Sequence, residues 1–85
     1  MYTIEWERKA RKQLAKIDSK ATRDEIYDSA GRLSDFRNVE QVKKLTDHNY
    51  GYRLRVGRYR VFFDVEDSVR IIHIEEVKKR DDRTY

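Results

Sequence analysis

The chain has no cysteine, which excludes a disulfide framework, a thiolate metal site and a thiol nucleophile. It has no proline and only three glycines, and regular elements can be read along its length, so long disordered linkers are not expected. No apolar run approaches the ~18 residues that a membrane span needs. The N-terminus runs straight into Trp6 and charged residues, with no signal-peptide pattern. The expectation is therefore a cytoplasmic protein that does not engage a membrane. Gly-rich phosphate loops, zinc signatures, calcium loops and the G-x-S-x-G elbow are all missing. The two histidines, His48 and His73, do not stand at metal-ligand spacing. Neither a metal nor another cofactor is expected.

What the chain has in quantity is charge. Of its 85 residues 42% are charged, and the formal net charge is +4. That length makes one domain, residues 1–85, with a single modest core. The positive charge is concentrated: residues 43–60 hold Lys43, Lys44, Arg53, Arg55, Arg58 and Arg60 against Asp47 alone. Such a field attracts polyanions, and the planar guanidinium fork suits phosphate better than an ammonium point charge. The competing explanation is a solvated surface in a highly charged chain.

Within that stretch, residues 52–63 alternate and read as two strands around a Gly57-Arg58 turn of type II′. This predicts the pairs Val56 with Tyr59, Arg55 with Arg60, Leu54 with Val61 and Arg53 with Phe62. Leu54, Val56, Tyr59, Val61 and Phe63 then face one way, while Arg53, Arg55, Arg60 and Phe62 face the other. Like charges opposed across a sheet cost roughly 1 kcal/mol for a solvated pair, so a phosphate between the guanidinium groups is the natural explanation for them.

Elsewhere, residues 2–6 alternate as a first strand. Ala10, Leu14 and Ile17 form one helical stripe, broken by Asp18-Ser19-Lys20. Thr22 and Glu25 read as the capping box of a second helix, whose stripe is Ile26, Ala30 and Leu33. Phe36 to Gly51 is the least regular part. Val69–Val77 is a β-branched strand in which Ile71-Ile72 leaves the facing ambiguous. The order is β, α, α, then three antiparallel strands, an α+β layer pair. RNA also carries its own nucleophile, the ribose 2′-OH, so convergent arginines are compatible with ribonuclease chemistry as well as with simple phosphate binding.

The run YRLRVGRYRVFFDV over residues 52–65 resembles the RelE/ParE toxin superfamily of type II toxin–antitoxin pairs. So do the Val69–Val77 strand, Lys44-Leu45, and the ending Val77-Lys78-Lys79-Arg80 with Tyr85. The likeness covers nearly the whole chain. It implies a RelE-like α+β fold, with an N-terminal strand and helical hairpin packed on a twisted antiparallel β-sheet. Arg80 and Tyr85 resemble the ribonuclease branch, which implies a ribosome-dependent endonuclease. Such a toxin cuts mRNA in the 30S A site by 2′-OH attack, without a metal, leaving a cyclic phosphate and a 5′-OH. A cognate RelB-like antitoxin in a hetero-oligomer is implied as well. On that resemblance Arg60 contacts the scissile phosphate, Arg80 stabilises the transition state or serves the leaving oxygen, and Tyr85 stacks on or orients a nucleotide. Arg55 completes the catalytic set, and Lys44, Arg53, Arg58, Phe62 and Lys79 are expected to bind substrate.

Arg53 and Arg55 stand where well-known RelE toxins have two lysines, one often assigned as the general base. Arginine is a poor base. That leaves His48, His73, Glu75 or Glu76 as acid/base candidates, although His73, flanked by Ile72 and Ile74, reads better as a structural histidine. The alternatives are a ParE-like toxin acting on DNA gyrase, and a catalytically weak homologue acting mainly through its antitoxin.

Overall fold

The computed structural model describes residues 1–80, and the expected site residue Tyr85 lies outside them. The described chain runs β1 (Thr3–Trp6), α1 (Arg8–Ala15), α2 (Lys20–Gly31), a 3-10 stretch (Arg32–Asn38), β2 (Val42–Lys44), β3 (Tyr52–Val56), β4 (Tyr59–Glu66) and β5 (Ile71–Lys79). The five strands form one sheet in the order β1-β5-β4-β3-β2. Two helices pack on one face of that sheet, the expected α+β architecture. One pairing departs from the expectation: β1 lies parallel to β5, so the sheet is mixed. The chain leaves β1 through the helices and returns along the same direction, which a parallel neighbour requires.

The β3–β4 hairpin has the predicted register, from Val56 opposite Tyr59 to Arg53 opposite Phe62. Gly57 takes φ +56° while Arg58 keeps a negative φ, the signature of a type II′ turn. Leu54, Val56, Val61 and Phe63 are buried against Ile26, Ala30 and Leu33 of the helical layer. Ala10 is also fully buried, and Leu14 and Ile17 pack beside it, as the stripe predicted.

Local details differ from the sequence reading. The second helix begins two residues earlier than Thr22. Its cap is Ser19, whose Oγ accepts from the Thr22 N–H at 3.2 Å. The Arg23 guanidinium donates to the Ile17 and Asp18 carbonyls, tying α2 to the end of α1. The three-residue β2 was not visible as a strand. Its pairing with β3 is what makes it one. β5 starts at Ile71, after a turn in which Arg70 adopts φ +58° and Val69 is exposed.

A bulge interrupts β4–β5: Phe62 opposes Glu76 while Phe63 opposes Ile74, leaving Glu75 as the extra residue. Ile72, Ile74 and Val77 are all buried, a spacing that strict alternation cannot place on one face. Inserting one residue restores the phase. Beyond Trp6 the free edge of β5 is taken over by the segment entering α1. The Glu7 N–H donates to the Ile74 carbonyl at 2.9 Å, and the Gln13 Oε1 accepts from the Val77 N–H at 2.7 Å. Gln13→Ala removes that acceptor and is expected to cost about 1 kcal/mol in urea unfolding, whereas the exposed Lys12→Ala should stay within about 0.5 kcal/mol.

Candidate nucleic-acid interface

Strand alternation and register arrange the sheet face opposite the helices as rows of side chains. One row runs Arg55, Arg60, Lys78 across β3, β4 and β5; the next runs Lys43, Arg53, Phe62, Glu76 from β2 to β5. The Arg55 N–H donates outward to the Gln41 carbonyl, so Arg55 and Arg60 form a non-hydrogen-bonded pair, the kind whose side chains stand closest. The Arg80 N–H donates to the Arg58 carbonyl at 2.7 Å, which ties the segment after β5 to the hairpin turn. Five of the expected residues, Arg53, Arg55, Arg58, Arg60 and Arg80, therefore gather at one end of the sheet.

The electrostatics around Arg53, Arg55 and Arg60 are unbalanced. Among the described residues no carboxylate lies within ion-pair distance of Arg53, Arg55 or Arg60. The one carboxylate in their two rows, Glu76, is taken by Lys9 at 3.4 Å from α1. The Nε atoms of both Arg53 and Arg60 are buried without a hydrogen-bond partner. Arg53 is also pushed below the usual arginine range, first by desolvation and then by repulsion from Arg55 and Arg60. Buried donors left unmet are costly. An oxyanion with several lone pairs would satisfy them.

The lysines are placed differently from the expectation. Val42 turns inward opposite Leu54, so Lys43 opposite Arg53 joins the arginine face, and Lys44 opposite Tyr52 turns to the helix side. At the other edge the bulge reverses the phase of β5: Lys78 stands beside Arg60, and Lys79 opposite Tyr59 points to the helix side. The sequence named Lys44 and Lys79; the face holds their neighbours, because strand phase depends on pairing.

The two histidines separate as well. His73 lies further along the same face, opposite Asp64 and Glu5. Its Nδ1 meets Glu7 at 2.8 Å and its Nε2 meets Glu66 at 2.9 Å. Those two hydrogen bonds raise its pKa to about 9, so the imidazole is cationic at neutral pH and poorly suited to act as a base. Glu5, Glu7 and His73 bring three ligand atoms within 4.8 Å of one another. A metal there would have to displace the Nδ1 proton that Glu7 stabilises. Glu75 is raised by burial and by Asp64 and Glu7. His48 instead reaches the arginine end, where its ring stacks on Phe62 at 5.0 Å.

With the geometry defined, comparison with known proteins settles the family. Residues 4–83 match the family described as "ParE toxin of type II toxin-antitoxin system, parDE". The chain belongs to the RelE/ParE toxins. No curated protein matches it by sequence. Among solved structures, it resembles the toxin–antitoxin complex RelBE2 from Mycobacterium tuberculosis, with TM-score 0.78 and 24% identity over 93% of this chain and 98% of that one. It resembles the RelE–RelB complex from Pyrococcus horikoshii with TM-score 0.76 and 26% identity, covering 98% of both chains. The isolated E. coli RelE toxin gives TM-score 0.78 and 18% identity over 95% of this chain and 86% of that one.

Two outcomes follow for this RelE/ParE toxin. The raised His73 pKa contributes stability that is fully present below about pH 6.5 and lost as pH rises through about 9. With partners this exposed, the contribution is on the order of 1 kcal/mol. Urea unfolding from pH 6 to 10 should show that decline, and His73→Gln should flatten it. Arg55→Thr removes a like-charge pair and should raise stability by up to about 1 kcal/mol while impairing function, as thermal denaturation beside a toxicity assay will show.

Proposed function

We propose that this RelE/ParE toxin is a ribosome-dependent mRNA endonuclease. The observation that carries the reading is the pair of buried, unpartnered Nε donors on Arg53 and Arg60, beside Arg55, with no carboxylate among the described residues in ion-pair reach of these three and Glu76 held by Lys9. In this reading Arg60 and Arg53 hold the non-bridging oxygens of the scissile phosphate, and Arg55 and Lys78 neutralise the charge that grows on them. The ribose 2′-oxygen forms a bond to phosphorus as the bond to the 5′-oxygen breaks. The 2′ proton passes to water, and Arg80 stabilises the departing 5′-oxygen until it is protonated. The products are a 2′,3′-cyclic phosphate and a 5′-OH. Alignment and charge stabilisation carry the rate here, because arginine holds its proton far above neutral pH. Tyr85 keeps the stacking role that the family resemblance implies.

The same reading gives the toxin a RelB-like antitoxin, bound in a hetero-oligomer that covers the arginine face. RelE in the M. tuberculosis, P. horikoshii and E. coli complexes is paired with RelB. A second reading, poisoning of DNA gyrase, is favoured by the ParE description of the matched family. In that case the basic face meets DNA or protein and no RNA is cut.

Arg60→Ala should slow cleavage of mRNA on programmed ribosomes by about 10²–10³-fold and relieve growth inhibition, with the far-UV circular dichroism spectrum unchanged. Induced cells should lose methionine incorporation first, with new mRNA ends confined to translated frames. Early loss of thymidine incorporation with intact mRNA would move the protein to the gyrase reading. Toxicity persisting in both Arg60→Ala and Arg80→Ala would overturn the site assignment.

A further inference from the structure

Phe62 points away from the core, onto the arginine face, yet it is only 6% exposed. What covers it is the loop between β2 and β3. The His48 ring lies over Phe62 at 5.0 Å and 17°, nearly parallel, and Tyr50 leans on the same ring at 5.7 Å and 31°. The loop is held in that position. The Leu45 N–H donates to the Gly51 carbonyl at 2.8 Å, and the Gly51 N–H donates to Asp64 Oδ1 on β4 at 2.7 Å. A side chain at Gly51 would crowd Asp64 at 3.2 Å, so the loop lies close to the sheet. Within the loop, Asp47 takes a left-handed φ of +52°, and the Tyr50 N–H donates to His48 Nδ1 at 3.1 Å. An Nδ1 that accepts leaves the ring proton on Nε2. The imidazole is therefore a plane with a fixed orientation, one face occupied by Phe62, and the residue itself exposed.

Phe62 stands directly opposite Arg53 and two residues from Arg60 on the same face, roughly 7 Å along the strand. We infer that His48, seated on Phe62 and braced by Tyr50, is a stacking shelf for the nucleobase adjoining the phosphate held by Arg53 and Arg60. The inference rests on the nuclease reading and adds to it the group that receives the base. A flat aromatic beside a cationic groove is the arrangement by which single-stranded nucleic acid is held. The Nε2 proton remains as a donor toward a base edge. If the loop only shielded Phe62, an aliphatic side chain would serve as well as His48, and that difference is testable.

The probe is a 70S ribosome programmed with mRNA whose A-site codon carries 2-aminopurine beside a 2′-deoxy block, so that nothing is cut. Wild-type toxin and His48→Phe should both quench the 2-aminopurine. His48→Leu, which still covers Phe62, should lose the quench and bind about tenfold more weakly, with the same dependence on salt because the phosphate contacts are untouched. Quenching and affinity unchanged in His48→Leu would show that His48 merely shields Phe62. Loss of quenching in His48→Phe as well would exclude stacking and point to chemistry at the imidazole nitrogens. If wild-type toxin fails to bind the programmed ribosome at all, the nuclease reading falls and this inference with it.

Discussion

The placement of like charges opposite one another across β3 and β4 is the constraint on which the rest of the site depends. Gly57 admits the left-handed backbone that a two-residue turn of this hand needs, and the turn sets the register. Once the register is set, Arg55 must stand opposite Arg60, and Arg53 beside them on the same face. Repulsion between them is offset by the apolar residues on the other side of the same strands. Leu54, Val56, Val61 and Phe63 are nearly or fully buried against the helices, and each such side chain contributes about 1.5–3 kcal/mol. The hairpin can carry an electrostatically unfavourable face because its other face belongs to the core.

The remaining elements sharpen that imbalance instead of relieving it. Lys9 on α1 binds Glu76, the carboxylate that would otherwise neutralise the cluster. At the far end of the same sheet face, His73 stands between Glu5 and Asp64 and is held protonated by its hydrogen bonds to Glu66 and Glu7. The face is thus cationic near the hairpin turn and acidic near the start of β5. A polyanion meeting this face would be drawn to one end and repelled by the other, which would orient it. The bulge at Glu75 belongs to the same design. It keeps Ile74 and Val77 both in the core and brings Lys78 alongside Arg60.

Much of this could be read before the fold was seen. The hairpin register, the buried set of β3 and β4, the two helical stripes and the convergence of Arg53, Arg55 and Arg60 all follow from alternation, turn chemistry and helical period. Those are properties of neighbouring residues. The errors occurred where a distant partner sets the local geometry. β2 is a strand because β3 pairs with it, and that pairing puts Lys43, not Lys44, on the arginine face. Ser19 caps α2 ahead of the expected Thr22 because the helix starts against the end of α1, where Arg23 holds the two together.

By itself, the sequence determined that three arginines would share one face of a hairpin and that the opposite face would be core, because a period of two and a glycine turn act locally. Tertiary structure alone decided which lysines join them, since the phase of β5 depends on a bulge that two separated core contacts demand. It also decided that His73 would be a cation and His48 a ring over Phe62. The hydrogen bonds that keep His73 charged come from Glu66, seven positions away, and from Glu7, sixty-six positions away, and only the fold brings both to one ring. No local pattern encodes contacts at that range.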